Sequence, residues 1–438
     1  MEHTPDLTGL TFVVLTALAC GMLLVRLRQP PLVGYLLAGV LLGPTGFGLV
    51  RSEGLVAIFA HIGVLLLLFV VGMELSVRAL KYSWRIALPA VGLQTAGSLL
   101  FMFIASSVIG LSVSTTILLG FVVALSSTAV AIKLLQEIGS LRNRVGRITV
   151  AVLIAQDLAF LPMLLVVENL GAEGLNLRAI LQIFLSILLL FAVIRMLLRQ
   201  GRHHLPFYKL IVGHVDLSPL AGLVYCFGAS ALMGAIGLSP AYGAFLVGLA
   251  IGNSAERKPM LVVVRPIQSV MLMVFFLSIG LLLDIDFVLQ NFGIVLFLFV
   301  IVTLFKTALN IFIFRIHKET WQRSFLAGVL ISQIGEFSFL LTASAVTLAA
   351  ISPEDSKLII SVTVFSLALS PFWLLTARRL QRIAERRLPT LKLVFDATFV
   401  GERMIARRGI RLTLRLGEIL LEQGKKLIKK VPRKNKHL

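Results

Sequence analysis

The stretch at residues 148–167 reads ITVAVLIAQDLAFLPMLLVV, an apolar segment long enough to cross a membrane, with a Gln–Asp pair at its centre. Inserting a carboxylate in the middle of a transmembrane helix costs about 2.5–3.5 kcal/mol on insertion scales. Asp157 is therefore predicted to have a functional role. Lys306 and Glu336 repeat this pattern at the centres of two later apolar stretches. Ionised together, the three side chains carry one negative charge, which one proton or one monovalent cation would neutralise.

The composition predicts an all-α polytopic membrane protein. Of the 438 residues, 58% are hydrophobic and only 14% are charged. Apolar runs of about 18–24 residues recur, and each can cross a hydrocarbon core of about 30 Å. We predict 13 spans, at residues 8–25, 31–49, 55–74, 85–109, 114–135, 147–168, 178–199, 217–236, 239–253, 264–283, 290–314, 324–349 and 356–377.

The basic residues predict the orientation. Cytoplasmic loops of membrane proteins are enriched in Lys and Arg, and here the basic residues fall in alternate loops. The N-terminus is therefore expected outside and the C-terminus inside, in a cell inner (plasma) membrane. The basic loop residues are Arg26, Arg28, Arg78, Lys81, Arg85, Arg142, Arg144, Arg147, Arg199, Arg202, Lys209, Arg257, Lys258, Arg265, Arg315, Lys318 and Arg323.

The C-terminal segment, residues 378–438, contributes most of the positive charge. It holds 18 Lys and Arg against 5 Asp and Glu, which is +13 of the net +20 of the chain. Its apolar residues have near-helical spacing, so it is predicted to be an amphipathic helix on anionic lipid, with disorder as the alternative. The charge is thus explained by the membrane, and no nucleic-acid partner is predicted.

Two spans are predicted to be broken helices. The fifth contains Ser126, Ser127 and Thr128, and the twelfth contains Ser332, Gln333, Gly335 and Glu336. Short hydroxyl side chains compete for backbone hydrogen bonds, and glycine weakens a helix. The two spans run in opposite directions, which predicts inverted repeats with two crossed broken helices at the binding site of a transporter. The alternative for residues 126–128 is close helix packing by small side chains. The repeats are predicted at residues 8–168 and 217–377, linked by the helix at 178–199, within one transmembrane domain at 1–377.

Five motifs carry a family resemblance. They are GYLLAGVLLGP at residues 34–44, LFVVGMEL at 68–75, ALSSTA at 124–129, QD at 156–157 and GEF at 335–337. In this order they resemble the Kef-type potassium/proton antiporters of the monovalent cation:proton antiporter superfamily. The resemblance covers about residues 10–376. It implies a sodium/proton-antiporter-like fold, a homodimer, and an ion-carrying part of each protomer that moves like an elevator against a dimerisation part.

The chain departs from full-length Kef systems in its C-terminal segment. Those systems carry a nucleotide-binding regulatory domain with a Gly-rich turn between a strand and a helix. Residues 378–438 contain no such pattern. We therefore expect this chain to lack that domain and its ligand gating, and control to rest on a separate regulatory subunit, on the tail or on nothing.

Asp157 is the predicted carrier, because a carboxylate is both a hard oxygen ligand and a proton acceptor. Gln156 offers a neutral amide oxygen and adds no second titrating carboxylate, which favours one proton per cation. Ser126, Ser127 and Thr128 are expected to complete the cation's ligand shell. The alternative for Asp157 is a structural salt bridge to Lys306.

Lys306 and Glu336 are predicted to balance charge or to form a second proton site. Glu336 could pair with Lys306, compensate the helix ends at the crossing, or bind the ion. Lys306 matches a lysine of electrogenic relatives, which leaves a proton-releasing role open beside a fixed counter-charge. Gly335, Ser332 and Gln333 are expected to form the backbone of the second crossing.

The predicted function is therefore the exchange of a monovalent cation, K⁺ in first place, for H⁺. An Na⁺/H⁺ antiporter of the same fold is the alternative, and an ion channel or sensor on the same scaffold is another. The sequence shows no nucleophile–base pair and no cluster of metal ligands, so neither an enzyme, a cofactor nor a resident metal is predicted. Membrane lipid is the expected surrounding.

Overall fold

The computed structural model describes residues 7–27, 29–44, 46–48, 53–75, 77–170, 177–199 and 216–385. Within these ranges the regular secondary structure is α-helical. We number the helices in chain order as α1 Leu7–Arg26, α2 Pro31–Leu42, α3 Glu53–Glu74, α4 Val77–Ile109, α5 Val113–Ala124, α6 Thr128–Glu137, α7 Arg144–Glu168, α8 Leu177–Arg199, α9 Leu217–Ala235, α10 Pro240–Gly252, α11 Arg257–Leu281, α12 Ile285–Gln290, α13 Phe292–Ile316, α14 Trp321–Leu330, α15 Phe337–Thr347 and α16 Pro353–Glu385.

Each of the 13 predicted spans overlaps with a helix or with a pair of half-helices, although α2 ends at Leu42 and not at residue 49. Among the described residues, seven helical segments are long and apolar enough to cross a membrane, and further apolar helices are shorter. The fifth and twelfth spans are the two that divide, into α5 and α6 and into α14 and α15. The prediction of an all-α polytopic protein with two broken helices is confirmed.

Polar side chains define where the half-helices begin. Ser112 Oγ accepts a hydrogen bond from Thr115 N at 3.1 Å at the start of α5. Ser127 Oγ accepts one from Val130 N at 3.3 Å at the start of α6. Such caps satisfy amide groups that a helix leaves free in its first turn. The hydroxyl of Ser127 therefore restarts the helix after the break rather than only disturbing it.

Helices α1, α2, α3, α9, α10 and α11 form a first group, which we call the frame. In it α3 packs against α10 and α11, and α2 packs against α1 and α11. Glycines bring the backbones together: a Cβ atom at Gly39 would collide with the carbonyl oxygen of Leu277, and one at Gly280 with that of Leu36. Gly248 of α10 lies in the same way against Phe69 of α3. Small residues are the usual means of close helix approach in membranes.

Helices α4, α5, α6, α7, α13, α14 and α15 form a second group, which we call the core group. Helix α4 packs against α5, α7 and α13, while α15 contacts α5 and α7. Helix α8 contacts α4 and α7 of the core group and α10 of the frame. Both broken helices and the three charged residues within apolar spans, Asp157, Lys306 and Glu336, belong to the core group.

The chain divides into two compact units, Met1–Pro371 and Phe372–Leu438. Helices α1–α15 and the contacts among them lie in the first unit, and of the second the structure describes the C-terminal part of α16. The sequence predicts that the tail begins at residue 378, but α16 continues to Glu385. The rest of the tail, residues 386–438, with its predicted amphipathic helix, lies outside the described residues. The proposed division into repeats stays a prediction.

Candidate functional site

Asp157 lies at the centre of α7 and is only 4% exposed. Thr128, the first residue of α6, donates its hydroxyl toward both carboxylate oxygens, at 3.2 Å each. One hydroxyl hydrogen serves two oxygens, so most of the hydrogen-bonding capacity of the carboxylate is left for a proton or a cation. Thr128 is half-buried and Ala129 is exposed, so the site adjoins accessible surface at the start of α6.

The two breaks cross and bind each other. Ser126 donates its hydroxyl to the carbonyl of Ile331 at 2.7 Å, and Gln333 donates its amide to the carbonyl of Ser127 at 3.2 Å. A Cβ atom at Gly335 would lie 2.8 Å from the carbonyl carbon of Ser126, so only glycine fits there without a shift. The crossing therefore depends on a glycine and on side chains that bind backbone carbonyls.

Lys306 of α13 contacts both breaks at the crossing and is 3% exposed. Its Nζ donates to the carbonyl of Leu125 at 2.6 Å, to that of Gln333 at 3.0 Å and to Ser126 Oγ at 3.3 Å. The two carbonyls follow the C-terminal ends of α5 and α14, where the helix dipole is negative. An ammonium group has three N–H donors, and each finds an acceptor here. In the described part of the chain, Lys306 thus binds the helix ends and forms no ion pair with Asp157 or Glu336.

Glu336 occupies the opposite electrostatic position. It is the residue before α15, whose N-terminal end is positive, and it interacts with the side chain of Ser127 at the start of α6. Its Oε2 is buried with no hydrogen-bond partner among the described residues. Glu336 also interacts electrostatically with Asp157. The crossing therefore places a cationic side chain at two helix C-termini and carboxylates at two N-termini.

Two site residues were missed by the sequence analysis, Gln94 of α4 and Asn310 of α13, each 2% exposed. Gln156 donates its amide to Gln94 Oε1 at 2.9 Å and to the carbonyl of Ala124 at 3.1 Å. Gln94 donates to Asn310 Oδ1 at 2.8 Å, and Asn310 donates to the carbonyl of Ile331 at 3.3 Å. The signal that could have found them is an amide side chain within an apolar span.

Of the predicted ion ligands, Thr128 contacts the carboxylate of Asp157, and Gln156 contacts the carbonyl of Ala124 beside the first break. Ser127 faces Glu336, and Ser126 is turned to Lys306 and Ile331. Ser332 donates to the carbonyl of Val329 at 2.8 Å and makes a local contact. No group of three or more His, Cys, Asp or Glu that could hold a metal ion occurs among the described residues.

Comparisons with known proteins agree with this architecture. The family model described as sodium/hydrogen exchanger, transmembrane, matches residues 13–376. The chain is 44% identical over 422 residues to the iron transporter MagA of Paramagnetospirillum magneticum, covering 96% of each chain. It is 30% identical over 369 residues to the glutathione-regulated potassium-efflux system protein KefC of Salmonella schwarzengrund, covering 82% of this chain and 58% of KefC.

A solved structure shares the fold. The sodium proton antiporter MjNhaP1 of Methanocaldococcus jannaschii, solved at pH 8, superposes with a TM-score of 0.65 at 17% identity, over 88% of this chain and 99% of that one. At this identity the likeness shows the fold alone. The prediction of a sodium/proton-antiporter-like fold is confirmed.

Proposed function

Since this chain belongs to the sodium/hydrogen exchanger family, whose members are cation:proton antiporters, we propose that the cation it exchanges for protons is K⁺. The carrying observation is the buried carboxylate of Asp157, whose hydrogen-bond partner among the described residues is the hydroxyl of Thr128. The choice of K⁺ rests on the Gln156–Asp157 pair and on the similarity to KefC. Na⁺/H⁺ exchange is the alternative within this function.

An elevator-type, alternating-access movement fits the division of the helices. The ion site lies wholly in the core group, and α8 contacts both the core group and the frame. Polar contacts also connect the two groups: Ser239, the residue before α10, donates to Glu168 Oε1 of α7 at 2.9 Å. Moving the core group as one body would carry Asp157 and both breaks together. A homodimer held by the frame, in a cell inner membrane, belongs to this proposal.

The experiment that tests the function is cation-driven proton movement in everted vesicles of a host without its own antiporters. After respiration has acidified the vesicles, addition of K⁺ is expected to release the proton gradient, reported by a pH-sensitive dye. Na⁺, Rb⁺ and Fe²⁺ are added in parallel, Fe²⁺ because of the relative named an iron transporter. If Na⁺ alone releases the proton gradient, the proposed cation is Na⁺ and not K⁺. Cation flux without proton movement would indicate a channel and overturn exchange.

Fe²⁺ is the less favoured cargo on chemical grounds. Sites for first-row transition metals use imidazole, thiolate or several carboxylates. Among the described residues, the carboxylate of Asp157 accepts one hydroxyl, from Thr128, and has Glu336 as the neighbouring carboxylate. Such a set suits a singly charged cation that competes with a proton. Release of the gradient by Fe²⁺ and not by K⁺ would contradict this assignment.

Exchange is expected to be electroneutral, with one proton for one cation. Asp157 is the group that alternates between them, while Lys306 stays bound to its three acceptors as a fixed counter-charge. In proteoliposomes, a membrane potential set by a thiocyanate gradient should not shift the cation gradient at which net proton movement stops. A clear shift would mean that Lys306 or Glu336 joins the proton cycle, and Lys306→Gln should then remove the voltage dependence.

The orientation is tested with single cysteines at exposed loop positions. In a variant without Cys20 and Cys226, a cysteine at Ser352 is expected to react with an impermeant maleimide from outside intact cells. A cysteine at Lys318 should react only after permeabilisation, because basic loops stay in the cytoplasm. Both side chains are exposed in the structure, so accessibility is matched. The reverse labelling pattern would invert the proposed topology.

A further inference from the structure

Three buried amide side chains form a continuous chain next to the carrier carboxylate. Gln156 of α7, Gln94 of α4 and Asn310 of α13 are 1%, 2% and 2% exposed. The donor–acceptor distances along the chain are 2.9 Å from Gln156 to Gln94 and 2.8 Å from Gln94 to Asn310. We call these three residues the amide relay.

Both ends of the amide relay lie on backbone carbonyls, and this determines which way every amide points. A carbonyl only accepts, so Asn310 must present its NH₂ group to Ile331 and its oxygen to Gln94. Gln94 then presents its NH₂ to Asn310 and its oxygen to Gln156. At the other end, the carbonyl of Ala124 independently requires the NH₂ group of Gln156. The two ends agree, so one orientation satisfies the whole relay.

The consequence falls on the amide oxygen of Gln156. With its NH₂ bound twice, Oε1 is left buried and without a hydrogen-bond partner among the described residues. Because the NH₂ group of Gln156 donates to further hydrogen-bonded amides, the negative partial charge on the Oε1 atom of Gln156 also increases. Gln156 and Asp157 both contact the segment around the first break, through Ala124 and Thr128. A cation at this segment needs oxygen ligands, and a rotated Gln156 would offer it an NH₂ group instead.

We propose that Gln94 and Asn310 are positioning residues that set cation affinity by holding the Gln156 amide with its oxygen free for the transported ion. The proposal rests on the exchange function proposed above and extends it to which residues determine cation binding as distinct from proton binding. Proton binding at Asp157 does not use the relay, because Thr128 is the hydrogen-bond partner of its carboxylate. The relay therefore acts on one of the two competing ligands.

Variants of the two relay residues other than Gln156 test this. Gln94→Met keeps the length of the side chain and removes one of the two bonds that orient Gln156, and Asn310→Leu removes the partner that orients Gln94. The apparent Kd for K⁺, from its thermal stabilisation of the purified full-length protein, is expected to rise about five- to tenfold in Gln94→Met. Asn310→Leu should have an equal or smaller effect, and the double variant no larger effect than Gln94→Met alone, since one break disconnects the relay.

The controls and a second readout exclude a merely structural role. Ser98→Ala on α4 and Thr303→Val on α13 alter buried polar groups on the same helices outside the relay, and should leave the Kd unchanged. In vesicles, KM for K⁺ should rise in parallel with Kd, while the maximal rate and its pH dependence stay near wild type. An unchanged Kd, or additive losses of maximal rate and Tm at unchanged KM, would overturn the proposal.

Failure of the relay and failure of the exchange function give different results. Cation binding that depends on Gln94 in a protein that moves no protons would sustain the relay and overturn exchange. Proton exchange with an unchanged KM for K⁺ in Gln94→Met would sustain exchange and overturn the relay. If neither K⁺, Na⁺ nor Rb⁺ stabilises the wild-type protein or drives proton movement, both proposals fall.

Discussion

Replacing Asp157 by Asn is expected to reduce cation-driven proton movement to the level of vesicles without the protein. Asparagine has nearly the same volume and can still accept the hydroxyl of Thr128, so the packing of α7 should survive. It cannot bind a proton or supply a negative charge to a cation. The measurement is dye release in everted vesicles at equal protein level, with Tm of the purified variant to show that it is folded.

The chain offers a matched control for this substitution. Asp355, at the start of α16, also accepts a threonine hydroxyl, from Thr115 at 2.8 Å. Asp355→Asn makes the same chemical change away from the crossing and is expected to retain exchange. Near-normal exchange by Asp157→Asn would refute the assignment of the carrier. Glu336→Gln should be milder than Asp157→Asn if Glu336 compensates the helix ends.

Lys306→Met is expected to give the largest loss of stability among the site variants. It leaves the carbonyls of Leu125 and Gln333 without the partner that now satisfies them. A buried polar group without a partner costs about 1–3 kcal/mol, and the two helix C-termini also lose their compensating charge. We expect a clear drop in Tm of the purified protein and in its level in the membrane.

Lys306→Gln separates hydrogen bonding from charge. A glutamine amide can still donate to one or two of the carbonyls, so its loss of stability should be smaller than that of Lys306→Met. Thr303→Val, one turn earlier on α13, is the control for disturbing a buried polar position. Equal stability of Lys306→Met and wild type would show that Lys306 does not hold the crossing together.

Much of the fold could be predicted from the sequence because charge and hydropathy have large energies in a membrane. Asp157, Lys306 and Glu336 stand out since each is costly in an apolar span. Residues 126–128 stand out since three hydroxyl side chains compete with a helix backbone. These signals are local in the sequence, so the two breaks and their place in the order of spans could be identified.

The partners of these residues could not be predicted, because they depend on contacts distant in the sequence. Lys306 binds the carbonyls of Leu125 and Gln333, although its charge suggested an ion pair with a carboxylate. A backbone carbonyl at a helix end has no sequence signature. Gln94 and Asn310 were missed because a single neutral amide changes the hydropathy of a span only slightly.

The backbone contacts of the frame have a consequence for the kinds of motion open to the protein. Helices normally slide past each other by shear, in which a layer of side chains between them switches rotamers. Where Gly39 meets Leu277, and Gly280 meets Leu36, no such layer exists. Sliding there would drive main-chain atoms into one another. Helices α2 and α11 therefore form a stiff pair, and shear is open only where side chains separate the helices.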